Sequence, residues 1–262
     1  MNYTLNEWLN LAIRWTHVFA AIMWVGQTYL FTWLDHTLNR EGQVWMVHSG
    51  GFYIVDKQKV PQLLPKTLHW FKWEAAITWL SGVSLFILLY YVGGLISAGS
   101  PKDLSLGLSI AISLGSIVIG WLIYDMLWIS PLAKSEPVAI AISYLLLVGA
   151  AYGFTRIFSG RAAYYQVGAL LGTLMAWNVW VRILPAQRQL LSAVKAGGQP
   201  DMTLAERAKN RSKHNTFIVV PLVFIMLSNH FPVTTFGSTY NWLVLAGLVI
   251  AGWVVAHFIR SH

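Results

Sequence analysis

An all-α, polytopic membrane bundle of about seven transmembrane helices is the fold this sequence predicts, and three observations predict it. Only 11% of its 262 residues are charged and 56% are apolar, whereas a soluble domain carries about 25% charged residues. Runs of about 20 apolar residues recur, each long enough to cross a ~30 Å hydrocarbon layer. The 14 tryptophans and 11 tyrosines suit the aromatic belts of a membrane protein.

The predicted spans run Trp8–Leu34, Trp70–Ile96, Leu104–Trp128, Pro137–Phe158, Ala162–Leu184, His214–Phe231 and Tyr240–Ile259. Backbone polar groups find no water in hydrocarbon, so each should be a helix. The first span lacks the basic start and small-residue cleavage site of a signal peptide and is expected to remain in place. Gly149/Gly153 and Gly168/Gly172 are small-xxx-small pairs predicted to let the fourth and fifth spans approach closely. No internal repeat is visible, so residues 1–262 read as one integral-membrane domain.

Lys and Arg concentrate on one side: about 14 flank the 1–2, 3–4 and 5–6 loops and the C-terminus, against about three opposite. The positive-inside rule then puts the N-terminus outside and the C-terminus in the cytoplasm. The same distribution ties the net charge of +8 to membrane lipid rather than nucleic acid. Two cytoplasmic loops exceed what a connection needs. Residues 35–69 contain a hairpin, VWMVH–SGG–FYIVD, expected to turn at Gly50–Gly51, followed by Pro61 and Pro65. The second loop should hold a helix from Pro185 stopped by Gly197–Gly198. Another should start at Thr203, with Glu206 at capping-box spacing, and run into the sixth span.

The absence of cysteine excludes disulfides, thiolate metal sites, iron–sulfur clusters, a cysteine nucleophile and a covalent c-type haem. No HExxH, P-loop, GxSxG or EF-hand pattern occurs. Chemistry must come from intramembrane polar residues, which face a bundle interior when they occur at all. Arg14, His17, Ala21, Trp24, Thr28, Phe31 and Asp35 share one face of the first span. His17 reads either as a haem ligand or as an interhelical hydrogen bond. His69 lies at the cytoplasmic boundary. Glu74, further in, reads as a proton acceptor or as a partner of Arg182. Tyr124 and Asp125 lie near the cytoplasmic end of the third span. Asn178 and Arg182, four apart, suit an anionic planar substrate, with Arg182 as a bidentate clamp and Asn178 reading amide edges; interfacial snorkelling is the plainer alternative for Arg182. His36, His48, His257 and His262 read as solvated.

The segment RSKHNTFIVVPLVFIMLSNHFP carries His214 and His230 at opposite ends. Sixteen residues of helix place them about 24 Å and about 160° apart, too far to share a ligand even with a kink at Pro221. His214 is therefore expected to pair with His69 at the cytoplasmic level, and His230 with His17 on the outer side, as candidate ligands of a non-covalent haem b.

The strings RWTHVFAAIMWVG, GGFYIVDKQKVPQLLPKTLHWFKWEAAITWLSG, WNVWVRILPAQRQL and RSKHNTFIVVPLVFIMLSNHFP resemble the N-terminal membrane domain of cytochrome-c-linked, membrane-bound urate oxidase, also called urate hydroxylase. The resemblance covers Trp8 to beyond Pro232. It implies oxidation of urate to 5-hydroxyisourate in purine catabolism, with electrons leaving through a cytochrome c domain. It makes His17, His69, His214 and His230 the characteristic histidines, with Glu74 and Asn178 nearby. The chain ends at His262 after seven spans and holds no Cys-x-x-Cys-His, so a separate cytochrome c is the expected acceptor. Arg182 and Asn178 would bind urate, and Glu74 or His69 would take its proton. The alternative is a non-catalytic membrane or haem b electron-transfer subunit of a larger respiratory complex; a proton-coupled transporter using Glu74 and Asp125 is weaker. A multi-pass place in a bacterial inner (plasma) membrane follows.

Overall fold

Helices dominate, and their order matches the predicted spans. The computed structural model describes residues 3–60 and 68–261; Pro61, Pro65 and His262 lie outside the described residues. Helix α1 covers Tyr3–Glu41. At ~1.5 Å per residue its 39 residues reach about 58 Å, longer than the hydrocarbon layer. Strands β1 (Gln43–His48) and β2 (Gly51–Asp56) form an antiparallel hairpin. Then come α2 (Trp73–Phe86, widening into a π-helical turn over Ile87–Val92), α3 (Leu106–Ile129) and α4 (Glu136–Ile157). Helix α5 (Gly160–Trp177) passes through a second π-helical segment, Asn178–Ile183, into α6 (Leu184–Lys195). Helices α7 (Met202–Leu227) and α8 (Asn241–Ser261) complete the bundle.

Among the described residues, five stretches are long and apolar enough to cross a membrane: Trp73–Val92, Leu106–Ile129, Glu136–Ile157, Gly160–Lys195 and Asn241–Ser261. The first and sixth predicted spans are also helical, as α1 and the second half of α7, but carry more polar residues.

Several local expectations needed correction. The hairpin turns at Ser49–Gly50, one residue earlier than predicted. Both have positive φ, 49° and 76°, the pair of left-handed conformations that a two-residue I′ turn requires. Asp201, rather than Thr203, caps α7: its carboxylate accepts from the Thr203 backbone N–H at 2.9 Å. The stop after α6 is as expected, with Gly197 at φ 72° and Gly198 N–H donating to the Ala193 carbonyl at 2.9 Å.

Helix α5 is the axis of the bundle. Twelve of its 18 residues are buried, and the main core gathers around Tyr164, Val167, Leu171 and Leu174 with Tyr90, Trp121 and Phe158. A polar seam crosses this core: Ser113 Oγ donates to Gln166 Oε1 at 2.6 Å, and Gln166 Nε2 returns bonds to α3. The small-residue pairs behave differently from expectation. A Cβ on Gly149 or Gly153 would meet nothing within 4 Å, while Gly168 packs against Ile225 and Met226 of α7. Close approach occurs instead at Gly252 of α8, where a Cβ would sit 2.8 Å from Pro221 Cδ and 3.0 Å from its nitrogen. Gly252→Ala is expected to push α8 off α7 and cost about 1–3 kcal/mol. Gly247→Ala on the same helix meets nothing and should be neutral. Thermal melts of both variants in one detergent check this.

At the far end of α1, Asp35 bonds Lys57 beside the hairpin and lies 3.5 Å from Lys209 of α7. Burial works to raise its carboxyl, but the Lys57 hydrogen bond and both lysine charges outweigh it and hold it below the usual range. The hairpin is thereby tied to the end of the bundle where α6 and α7 meet.

Candidate functional site

The π-helical segment after α5 positions the site. Its i→i+5 turns widen the helix, a local geometry common at functional positions. Asn178, at its start, is completely buried, while the Arg182 side chain is 37% exposed. Asn178 Nδ2 donates to Tyr124 Oη of α3 at 2.8 Å and to Asn215 Oδ1 of α7 at 3.0 Å. Asn215 in turn donates to the Met175 carbonyl at 3.0 Å. Tyr124 Oη lies 2.7 Å from His214 Nδ1. That oxygen also accepts from Asn178, and a Tyr124 hydroxyl that donates to Nδ1 puts the imidazole proton of His214 on Nε2.

One residue along α3, Asp125 is held from two sides. Arg182 grips it as a fork, with Nε donating to Oδ1 at 2.9 Å and an Nη2 bond to Oδ2. Arg211 Nη2 donates to Oδ1 at 2.8 Å, and the guanidinium lies 4.9 Å from the Tyr124 ring centroid. Two guanidinium cations thus share one carboxylate, leaving a net single positive charge. Two buried atoms lack a hydrogen-bond partner here: Asn178 Oδ1, an acceptor, and Arg211 Nη1, a donor. Both residues contact Tyr124. Buried polar atoms of this kind ask for a ligand or water, because leaving them unpaired costs about 1–3 kcal/mol each.

The predicted residues divide accordingly. The structure brings together Asn178, Arg182, Tyr124, Asp125, His214 and Asn215. It corrects the Glu74–Arg182 pairing: the Arg182 fork is taken by Asp125, while Glu74 Oε2 is buried without a partner. Glu74 is next to Ala75, which packs on Val179 and Leu184 beside the π-helical segment. His69 is exposed, its ring edge-on to Phe71 at 4.6 Å. Arg211, which the sequence places in a basic loop, is the further member. Its signal was spacing: it opens RSKHN one helical turn before Asn215 and so shares that residue's face.

Haem can be tested against these histidines. Ligation requires an imidazole nitrogen free and aimed into space. His17 Nδ1 bonds the Thr78 carbonyl at 2.9 Å, and a Cβ on Gly82 would come within 2.9 Å of its ring; the interhelical hydrogen bond is present, and it leaves Nε2 as the nitrogen a metal would take. His69 and His230 are exposed, and neither lines the cavity of about 1150 Å³ among α3, α4, α5, α7 and α8. His214 borders that cavity, with its Nδ1 taken by Tyr124 Oη. No hydrogen bond or ring contact joins any two of the four among the described residues, and no group of three or more His, Asp or Glu converges there. The expected His17–His230 and His69–His214 haem b pairs share no direct contact among the described residues, and no step is routed through a haem.

Across residues 3–262 the chain matches the family model described as urate oxidase N-terminal. No curated protein and no solved structure matches it.

Proposed function

The chain belongs to the urate oxidase N-terminal family, and from that premise we propose that it oxidises urate to 5-hydroxyisourate at the Asn178–Arg211 cluster. The observation that carries this reading is the pair of buried, unpartnered atoms Asn178 Oδ1 and Arg211 Nη1 against Tyr124. Urate presents ring N–H groups beside carbonyl oxygens, so one edge offers a donor to Asn178 Oδ1 and an acceptor to Arg211 Nη1. The surplus positive charge suits the urate anion. In this reading Arg182 does not touch urate. It holds Asp125, which holds Arg211.

Oxidation adds the oxygen of one water to C5 of the purine. With urate written as the neutral acid, the step releases two electrons and two protons. Glu74 is proposed as a proton acceptor, because its Oε2 is buried without a partner; His69, exposed at the same end, passes protons to solvent. We also propose the seven-span topology with the N-terminus outside, which places the cluster on the cytoplasmic side with the basic loops.

The test is anaerobic turnover of the purified protein with urate and an artificial one-electron acceptor. Two acceptor molecules reduced per urate consumed is the expected result. Absence of both urate binding and turnover would retire the proposal and favour a non-catalytic subunit.

A further inference from the structure

Tyr124 and His214 face a second space. They border a cavity of about 1150 Å³ enclosed by α3, α4, α5, α7 and α8, larger than the roughly 300–1,000 Å³ typical of small-molecule sites. Its walls are apolar, including Ile140, Leu147, Leu170 and Trp253. Ile119, Ile123 and Leu146 line it and are also 57%, 44% and 45% exposed on the outside of the bundle, so it opens sideways to where lipid would be. The polar groups collect at one end: Tyr124, His214, Lys213, Glu136 and Arg260. Lys213 is already bound by Glu136 at 2.5 Å.

We propose that this cavity binds a membrane quinone, the acceptor for the electrons of urate oxidation; the redox half of this inference rests on the urate reading, the binding half does not. Three features carry it. The side opening admits a ligand dissolved in the bilayer. The apolar trough suits an isoprenoid tail. The polar end holds His214, whose Nδ1 is taken by Tyr124 Oη at 2.7 Å, leaving Nε2 for a quinone carbonyl. Tyr124 is also the wall shared with the substrate cluster, through Asn178 at 2.8 Å. Donor and acceptor sites are therefore back to back, linked by an Asn178–Tyr124–His214 hydrogen-bond chain. The balance closes: urate plus water plus quinone gives 5-hydroxyisourate plus quinol. Two electrons pass to the quinone ring, and the two protons released from urate and water match the two the quinol takes up.

Gly115 lines the trough, and a Cβ there meets nothing within 4 Å, so Gly115→Phe sets a ring into the trough, and its melting temperature checks that the fold is kept. The experiment uses the full chain in nanodiscs and a short-chain benzoquinone. Wild type is expected to bind it without urate, and Gly115→Phe to bind at least tenfold more weakly while binding urate as wild type does. Urate should reduce the quinone anaerobically in wild type only. No quinone binding by wild type, or equal binding by Gly115→Phe, overturns the proposal. So does a tightly held anionic phospholipid, or a haem Soret band, that Gly115→Phe removes. Quinone binding lost in Gly115→Phe without any urate-driven reduction supports the site and retires the urate reading.

Discussion

Asp125→Asn is expected to destabilise the bundle by about 3–5 kcal/mol, the cost of breaking a buried ion pair from one side. The Asp125 side chain is 11% exposed and the Arg211 side chain 6%. With the carboxylate gone, Arg211 keeps its charge and has no water to turn to. Arg182, at 37% exposed, can swing toward solvent, so Arg182→Gln should cost no more than about 1 kcal/mol. The asymmetry separates a buried anchor from an interfacial clamp. A second variant guards against trivial unfolding: Asp125→Asn with Arg211→Met removes both sides of the inner pair and should recover more than half of the loss. Thermal unfolding in a single detergent measures all of these. Asp125→Asn melting with wild type would show that the carboxylate does not hold the site together.

Why the sequence reading missed this triad follows from what periodicity can report. The lengths of the apolar runs located the long helices; apart from α6, which lies between two runs, the helices follow that order, with α1 and α7 overrunning their spans. Periodicity also put Asn178 and Arg182 on one face. It does not say which helix that face meets. Sequence allows Arg182 either Glu74 or an anionic substrate as partner, yet the bundle presents Asp125 of α3, a choice made by packing around α5. Arg211 was hidden differently. Its neighbours Lys209 and Lys213 mark a basic loop, and only the continuity of α7 from Met202 into the span turns Arg211 inward. The histidines are legible only as residue types: which nitrogen of His17 and of His214 is engaged depends on Thr78 and Tyr124, which come from distant parts of the chain.

Arg211→Lys tests the substrate reading at the same residue while keeping the charge that Asp125 needs. A lysine ammonium is a point charge and cannot reproduce the planar fork that binds Asp125 through Nη2 and leaves Nη1 for a ligand. If it stays on Asp125, the urate carbonyl loses one charge-assisted hydrogen bond, worth about 1.5–3 kcal/mol, and KM should rise roughly 10- to 150-fold. The fold should survive, because the ion pair persists. Arg182→Lys gives the contrast: its fork is spent on Asp125 rather than on substrate, so KM should change only a few-fold. A purely structural role for Arg211 predicts the reverse pattern, with melting temperature falling and KM unmoved. Measuring both quantities on both variants decides between them, and an unchanged KM in Arg211→Lys would move the urate site away from Asn178 and Tyr124 altogether.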